Sequence, residues 1–370
     1  MIRVFSPKLT YKDKISVLRA LLKNEISGSS NEVKNFESLL TKNFDRKYAV
    51  ALANGSVALD VAFQTLDLKK GDEVILPSFT IISCLSAVTR TGATPIFCDV
   101  DKFSWNMRLE DVEKVVTKKT RAVLMVHTYG LSADAEEIQK FCNDKNIILI
   151  EDASEAHGQM VNNKKCGSFG DISTLSFYAN KHVTTGEGGA LLTNNYEISK
   201  KARQMINLDF NNQERFKHNN LYWNYRLSGL QAALGISQLK RIDKTIKMKI
   251  IQGNRYLDLL KKYNVNVQVP LKENKYSKNH FWVFGVVLNN KNIRDLVITK
   301  LEENGIETRP FFWPLHLQPP IIKNIKQTKE IINTETIAKN GLYLPLGSQI
   351  NSRNQQKIVL TLKRIIENEL

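Results

Sequence analysis

The chain has 370 residues, 42% hydrophobic and 24% charged, a composition that suits a folded globular protein with more than one core and excludes a disordered or fibrous chain. It contains no run of about eighteen apolar residues, and its opening stretch Met1-Ile2-Arg3-Val4-Phe5-Ser6-Pro7 lacks the apolar segment of a secretion signal, so a cytoplasmic protein with no membrane partner is expected. The net charge of +16 is spread along the chain instead of being gathered in tails, which argues for solubility or a phosphorylated small-molecule substrate and against nucleic acid.

Taken in chain order, the first informative turn is Asn54-Gly55-Ser56, ahead of a helical pattern of Leu59, Ala62, Phe63 and Leu66. This pattern predicts a helix that starts near Val57 with Ser56 as its N-cap. Runs resembling buried parallel strands follow at 73–77, 122–126, 147–151, 173–178 and 190–193. A helix carrying Ile138, Phe141 and Cys142 is expected behind a Ser132 N-cap. This alternation predicts an α/β fold built on a doubly wound, mostly parallel sheet. One long helix, straight or bent, is expected over 227–260 with Gly229 and Gly235 near its start, then a polar loop at 272–279, a strand-like run at 281–288 and helices at 293–304 and 354–369. The last has Ser352 and Gln355 as a capping box and an apolar stripe of Ile358, Leu362 and Ile365. These changes of pattern divide the chain into a large domain, 1–246, and a small C-terminal α/β domain, 247–370. Cys84, Cys98, Cys142 and Cys166 form no CxxC pair, and no histidine stands at metal spacing, so reduced structural thiols and no metal site are expected.

In open α/β sheets ligands bind beyond the carboxyl ends of the strands, which singles out the residues after each run. Lys181 follows the run 173–178 and precedes Gly186-Glu187-Gly188-Gly189; it reads as the end of a strand that aims an amine into a site. A partly desolvated lysine can lose its proton and form an imine with an aldehyde. Glu151-Asp152 closes the run 147–151, and a carboxylate there could keep a pyridinium nitrogen protonated; the bland reading is a cap on the next turn. Gly55-Ser56 at a helix start suits a phosphate, and the Ser176 hydroxyl could add a contact. Arg309, Trp313 and His316, in a run rich in aromatics, suit a sugar ring and a diphosphate, though such aromatics are as often core.

In their order and spacing these motifs resemble the pyridoxal-phosphate sugar aminotransferases of the DegT type, within fold type I. The resemblance covers almost the whole chain. It rests on Gly55-Ser56-Val57-Ala58-Leu59, Gly71-Asp72-Glu73-Val74-Ile75, Gly92-Ala93-Thr94-Pro95, Glu151-Asp152-Ala153 with His157-Gly158, the run from Ser176 to Gly189, and Asn224-Tyr225-Arg226. It implies pyridoxal 5′-phosphate as cofactor, Lys181 as the imine-forming amine and Asp152 as the partner of the pyridinium. It also implies that Gly55, Ser56, Val57 and Ser176 hold the phosphate, that Asn224 reaches it across a homodimer with shared active sites, and that Glu155 lies near the cofactor's phenolic oxygen. Most relatives place a ring-stacking aromatic where this chain has Ile81. The implied reaction moves an amino group from L-glutamate to C4 of a nucleotide-linked 4-keto-6-deoxyhexose, with GDP as the expected nucleotide. Alternatives are UDP- or dTDP-keto sugars, a cyclitol, a sugar dehydratase of the same family, and a basic regulator or nucleic-acid-binding protein.

Overall fold

The computed structural model describes residues 1–210, 214–289, 292–323 and 330–368. Nine strands lie between residues 48 and 193: β1 (Tyr48–Leu52), β2 (Glu73–Pro77), β3 (Thr94–Cys98), β4 (Thr120–Val126), β5 (Ile148–Asp152), the short hairpin β6 (Met160–Val161) and β7 (Lys164–Lys165), β8 (Ile172–Ser176) and β9 (Gly189–Thr193). Seven of them form one sheet in the order β1-β9-β8-β5-β4-β2-β3; β8 through β3 pair in parallel, and β9 runs antiparallel to both neighbours. The expected α/β architecture is present.

Strand periodicity explains why this sheet is covered on both faces. In β4, Val123 and Met125 enter a core with helix Asn31–Phe44 and helix Ala135–Lys145, whereas Ala122, Leu124 and Val126 enter the core beneath helix Ile82–Thr89. Both β1 and β3 escaped the sequence reading. Each is a five-residue strand buried by tertiary packing, and β3 carries Pro95 in an edge position, where its missing N–H costs nothing.

The second sheet is antiparallel, in the order β10 (Val267–Gln268), β11 (Phe284–Leu288), β13 (Gly341–Leu344), β12 (Arg309–Pro310). Its core joins Tyr256, Phe284, Val286, Leu342, Leu344, Ile358 and Leu362. The helix expected over 227–260 is two helices, Gly229–Leu239 and Ile242–Lys262, separated at Lys240 and Arg241. Within the second, Ile242 and Ile246 pack on the large sheet's core while Tyr256, Leu257 and Leu260 pack in the other, so this helix ties the two cores together.

Three caps differ from expectation. Helix Gly55–Gln64 begins two residues earlier than Val57, and its N-cap is Asn54, whose Oδ1 accepts from Val57 N–H at 2.9 Å. Helix Ala135–Lys145 follows Asp134, leaving the Ser132 hydroxyl to pair with that of Ser277 at 2.7 Å. At the C-terminal helix Ser352–Asn368 the reciprocal bonds are made by Asn351 and Asn354, while Gln355 is buried and donates to the carbonyl of Gln252 at 2.8 Å. Polar residues one or two positions apart compete for each cap, and packing decides among them. All four cysteines are free and buried. No helix among the described residues is long and apolar enough to cross a membrane.

Candidate active site

The carboxyl ends of β5 and β8 lie side by side, with Asp152 paired in register to Thr174. Asp152 is buried at the tip of β5; its Oδ1 accepts from Ser154 N–H at 3.0 Å, so it does cap the following turn, and its Oδ2 lies 3.6 Å from the Cys84 thiol. Its neighbour Glu151 points to the opposite face, as strand alternation requires. There it accepts from His127 Nε2 at 3.0 Å, from the backbone N–H groups of Gly167, Phe169 and Gly170 and from the Ser173 hydroxyl. Burial alone would raise the Glu151 pKa; His127, the charge of Arg46 and these N–H donors outweigh it and hold the carboxyl at about 2.

His127, Glu151 and Cys166 bring three potential ligand atoms within 4.8 Å of one another, a cluster that sequence spacing did not reveal. Ala133 N–H donates to His127 Nδ1 and Glu151 is saturated with donors, so the cluster functions as a hydrogen-bonded brace beneath the strand end.

Lys181 lies five residues past the end of β8, in the turn before β9, and is not itself the end of the strand. Its Nζ sits 3.5 Å from Glu155 Oε1 and 3.9 Å from the centroid of the Trp282 ring, with its side chain 10% exposed. Glu155 also accepts from Tyr129 N–H at 2.9 Å. Its burial raises its pKa, the Lys181 charge and the Tyr129 N–H oppose this, and Asp152 adds to it, leaving Glu155 at about 7. His182, beside the lysine, is buried, and burial with the charge of Lys249 keeps it neutral, its pKa well below the usual histidine value.

Asn54-Gly55-Ser56 closes the other side of the site. A Cβ at Gly55 would stand 2.7 Å from Ser176 Cβ, so only glycine lets the helix start this close to the end of β8. The N–H of Val57 is taken by the Asn54 cap, whereas Gly55 and Ser56 open the helix N-terminus, where N–H groups have no intrahelical acceptor. Ser56 Oγ pairs with Ser83 Oγ at 2.6 Å.

The remaining candidates are more dispersed. Asn224 lies in a segment that pairs with the end of β1 through Tyr225 and Arg226, and its side chain accepts from Arg226 Nε at 2.9 Å. Ile81 is exposed at the start of helix Ile82–Thr89, while Phe79 is buried among Tyr129, Phe311 and Phe312. Arg309 is exposed and paired with Glu307, and Trp313 is more than half exposed. His316 is buried with both ring nitrogens engaged, Nδ1 with Ser78 Oγ at 2.6 Å and Nε2 with Glu335 at 3.2 Å. Trp282, the ring beneath Lys181, was not foreseen; it lies 101 residues away in sequence, and no local signal links the two.

The model of the DegT/DnrJ/EryC1/StrS aminotransferase family matches residues 9–363. The chain belongs to this family. It is 36% identical over 360 residues to GDP-perosamine synthase of Escherichia coli O157:H7, covering 97% of this chain and 96% of that one. It is 33% identical over 347 residues to GDP-perosamine synthase of Vibrio cholerae, covering 93% and 94%. Among solved structures the fold matches Helicobacter pylori PseC, an aminotransferase involved in the biosynthesis of pseudoaminic acid, with a TM-score of 0.93 over 99% of both chains at 23% identity.

This DegT-family enzyme is a sugar aminotransferase of fold type I, dependent on pyridoxal 5′-phosphate. Its residues fit that cofactor: a buried carboxylate at one strand end, a largely desolvated amine past the next, and a glycine-serine helix start against Ser176 that a Cβ would block. Such a set offers a cation partner, an aldehyde partner and a phosphate cradle in one cleft.

Proposed function

We propose that the protein transfers the amino group of L-glutamate to C4 of a GDP-linked 4-keto-6-deoxyhexose, giving a GDP-perosamine-type product for surface polysaccharide synthesis in the cytoplasm. The observation that carries this reading is near full-length identity of 36% and 33% to two GDP-perosamine synthases. Pyridoxal 5′-phosphate, when bound, supplies the carbonyl that takes up the amino group and a ring that draws off the electron pair.

Each side chain then has a role. Lys181 Nζ takes the proton from the donor carbon and returns one on the acceptor side, as base and then acid. Asp152 holds the ring nitrogen's proton from the tip of β5. Gly55 and Ser56, with Val57 and Ser176 beside them, bind the phosphate, with Asn224 of the partner subunit reaching it across a homodimer. Glu155, near 7 and 3.5 Å from Lys181, holds or releases a proton next to the working amine at neutral pH. Arg309, Trp313 and His316 line the sugar-nucleotide side, with His316 acting through Ser78. The chain is organised as two lobes, 1–246 and 247–370, joined through helix Ile242–Lys262.

The test is a substrate screen of the purified, cofactor-loaded protein with L-glutamate and 4-keto GDP-, UDP- and dTDP-sugars, following 2-oxoglutarate and the amino sugar by mass spectrometry. Amination of the GDP sugar at least ten times faster than of the others is expected. A clear preference for UDP or dTDP sugars would move the base, and no 2-oxoglutarate with any of the three would overturn the reading.

A further inference from the structure

A concavity of about 290 Å³ borders the Lys181 turn, at the lower end of small-ligand pocket sizes. Of the residues assigned to the cofactor only Lys181 borders it; Gly55, Asp152 and Ser176 do not. Its wall is strongly cationic, with Lys8, Arg241, Lys244 and Lys249 converging from the N-terminal segment and helix Ile242–Lys262.

Three features of this wall are unfinished. Lys249 is buried, and its Nζ donates to the Trp282 carbonyl at 2.7 Å with no carboxylate beside it among the described residues. Burial and the charge of Lys181 push its amine down to about 7. His182, 3% exposed, lines the same space, and neither of its ring nitrogens makes a hydrogen bond. Arg241 pairs with Asp13 at 3.0 Å through Nη2, yet its Nε is also buried without a partner. Buried donors in native proteins are almost always satisfied, and buried charges are paired. Water would satisfy the nitrogens but would not hold Lys249 in its charged form. An anion does both.

We propose that this cavity is an anion-binding site for a phosphate group, separate from the cofactor's phosphate cradle, held by Lys249, Arg241 and Lys244 with His182 as a hydrogen-bond partner. A dianion fits better than a monocarboxylate, because the five cations of the wall, Lys181 included, are met by two carboxylates, Asp13 on Arg241 and Glu155 on Lys181. The site does not depend on which sugar the enzyme aminates, so its failure would leave the proposed reaction untouched.

The experiment titrates inorganic phosphate into cofactor-loaded protein by isothermal calorimetry at 0.1 M NaCl, with loading checked by cofactor absorbance so that the Gly55-Ser56 cradle is filled. One saturable site per chain is expected, with acetate giving no comparable heat. Lys249→Met, which keeps the buried stem, and Lys244→Gln, at the exposed rim, should each weaken phosphate binding at least tenfold, with circular dichroism confirming that both fold. Three results would overturn the site: no saturable heat in the wild type, equal affinity in both folded variants, or a non-saturating heat that disappears at 0.5 M NaCl and so reports only the basic surface.

Discussion

Replacing Glu155 by glutamine tests the electrostatics at Lys181 most directly. Glutamine keeps an acceptor for the Tyr129 N–H and the volume of the side chain, and removes the titration together with the charge that faces Lys181. Burial is the main reason the Glu155 carboxyl rises from 4.5 to about 7 in the folded chain. A carboxyl whose pKa is raised by folding contributes stability that is complete below 4.5 and is lost as the pH climbs through about 7, because in that window the folded state holds a proton the unfolded state has released. At about 1.4 kcal/mol per pH unit, the wild type should lose about 2 kcal/mol relative to Glu155→Gln between pH 5.5 and pH 8. The assay is urea denaturation of the cofactor-free proteins at several pH values and equal protomer concentration, followed by circular dichroism. The two stability curves should converge toward acid pH and separate in favour of the variant above pH 7, whatever constant offset the lost contact with Lys181 adds. Parallel curves across that window would refute the argument, since they would mean that Glu155 is ionised throughout.

Other expectations concern the cofactor and the assembly. Lys181→Ala should lower kcat by at least about a thousandfold and leave the cofactor held only by non-covalent contacts, so that reduction with borohydride no longer fixes it to the chain. Gly55→Ala places a methyl 2.7 Å from Ser176 Cβ, an overpacking that costs about 1–3 kcal/mol and should weaken cofactor binding roughly tenfold or more; Ser176→Gly in the same chain should recover part of the loss. If active sites are shared, mixing inactive Lys181→Ala and Asn224→Ala protomers should restore roughly a quarter of wild-type activity, because half the dimers are mixed and one of their two sites is intact. Mixtures that stay inactive, despite exchange of subunits seen by mass spectrometry, would place Asn224 in its own chain's site.

Much of the fold was legible because it is encoded locally. The apolar runs at β2, β4, β5 and β9 read as buried strands from composition alone, and the glycine-serine turn before Leu59 marked a helix start. Where several residues could satisfy one end of an element, local sequence was ambiguous: Asn54 makes the cap while the Ser56 hydroxyl pairs with Ser83, and Asn351 with Asn354 make theirs while Gln355 turns to the Gln252 carbonyl. The break at Lys240 and Arg241 was invisible for a related reason, since every residue around it tolerates a helix and only docking against two cores ends one helix and starts another.

The sequence by itself determined that a lysine, an aspartate and a glycine-serine turn follow successive elements of an α/β chain, because strand and helix periodicity and glycine's conformational freedom act over a few residues. Only the tertiary structure decided that Asp152 faces the site while Glu151 faces the core, that Trp282 lies under Lys181, and that buried Lys249 and His182 close the space behind it. Those outcomes depend on which strands become neighbours and on how far charge is removed from water, quantities set by packing between residues far apart in the chain.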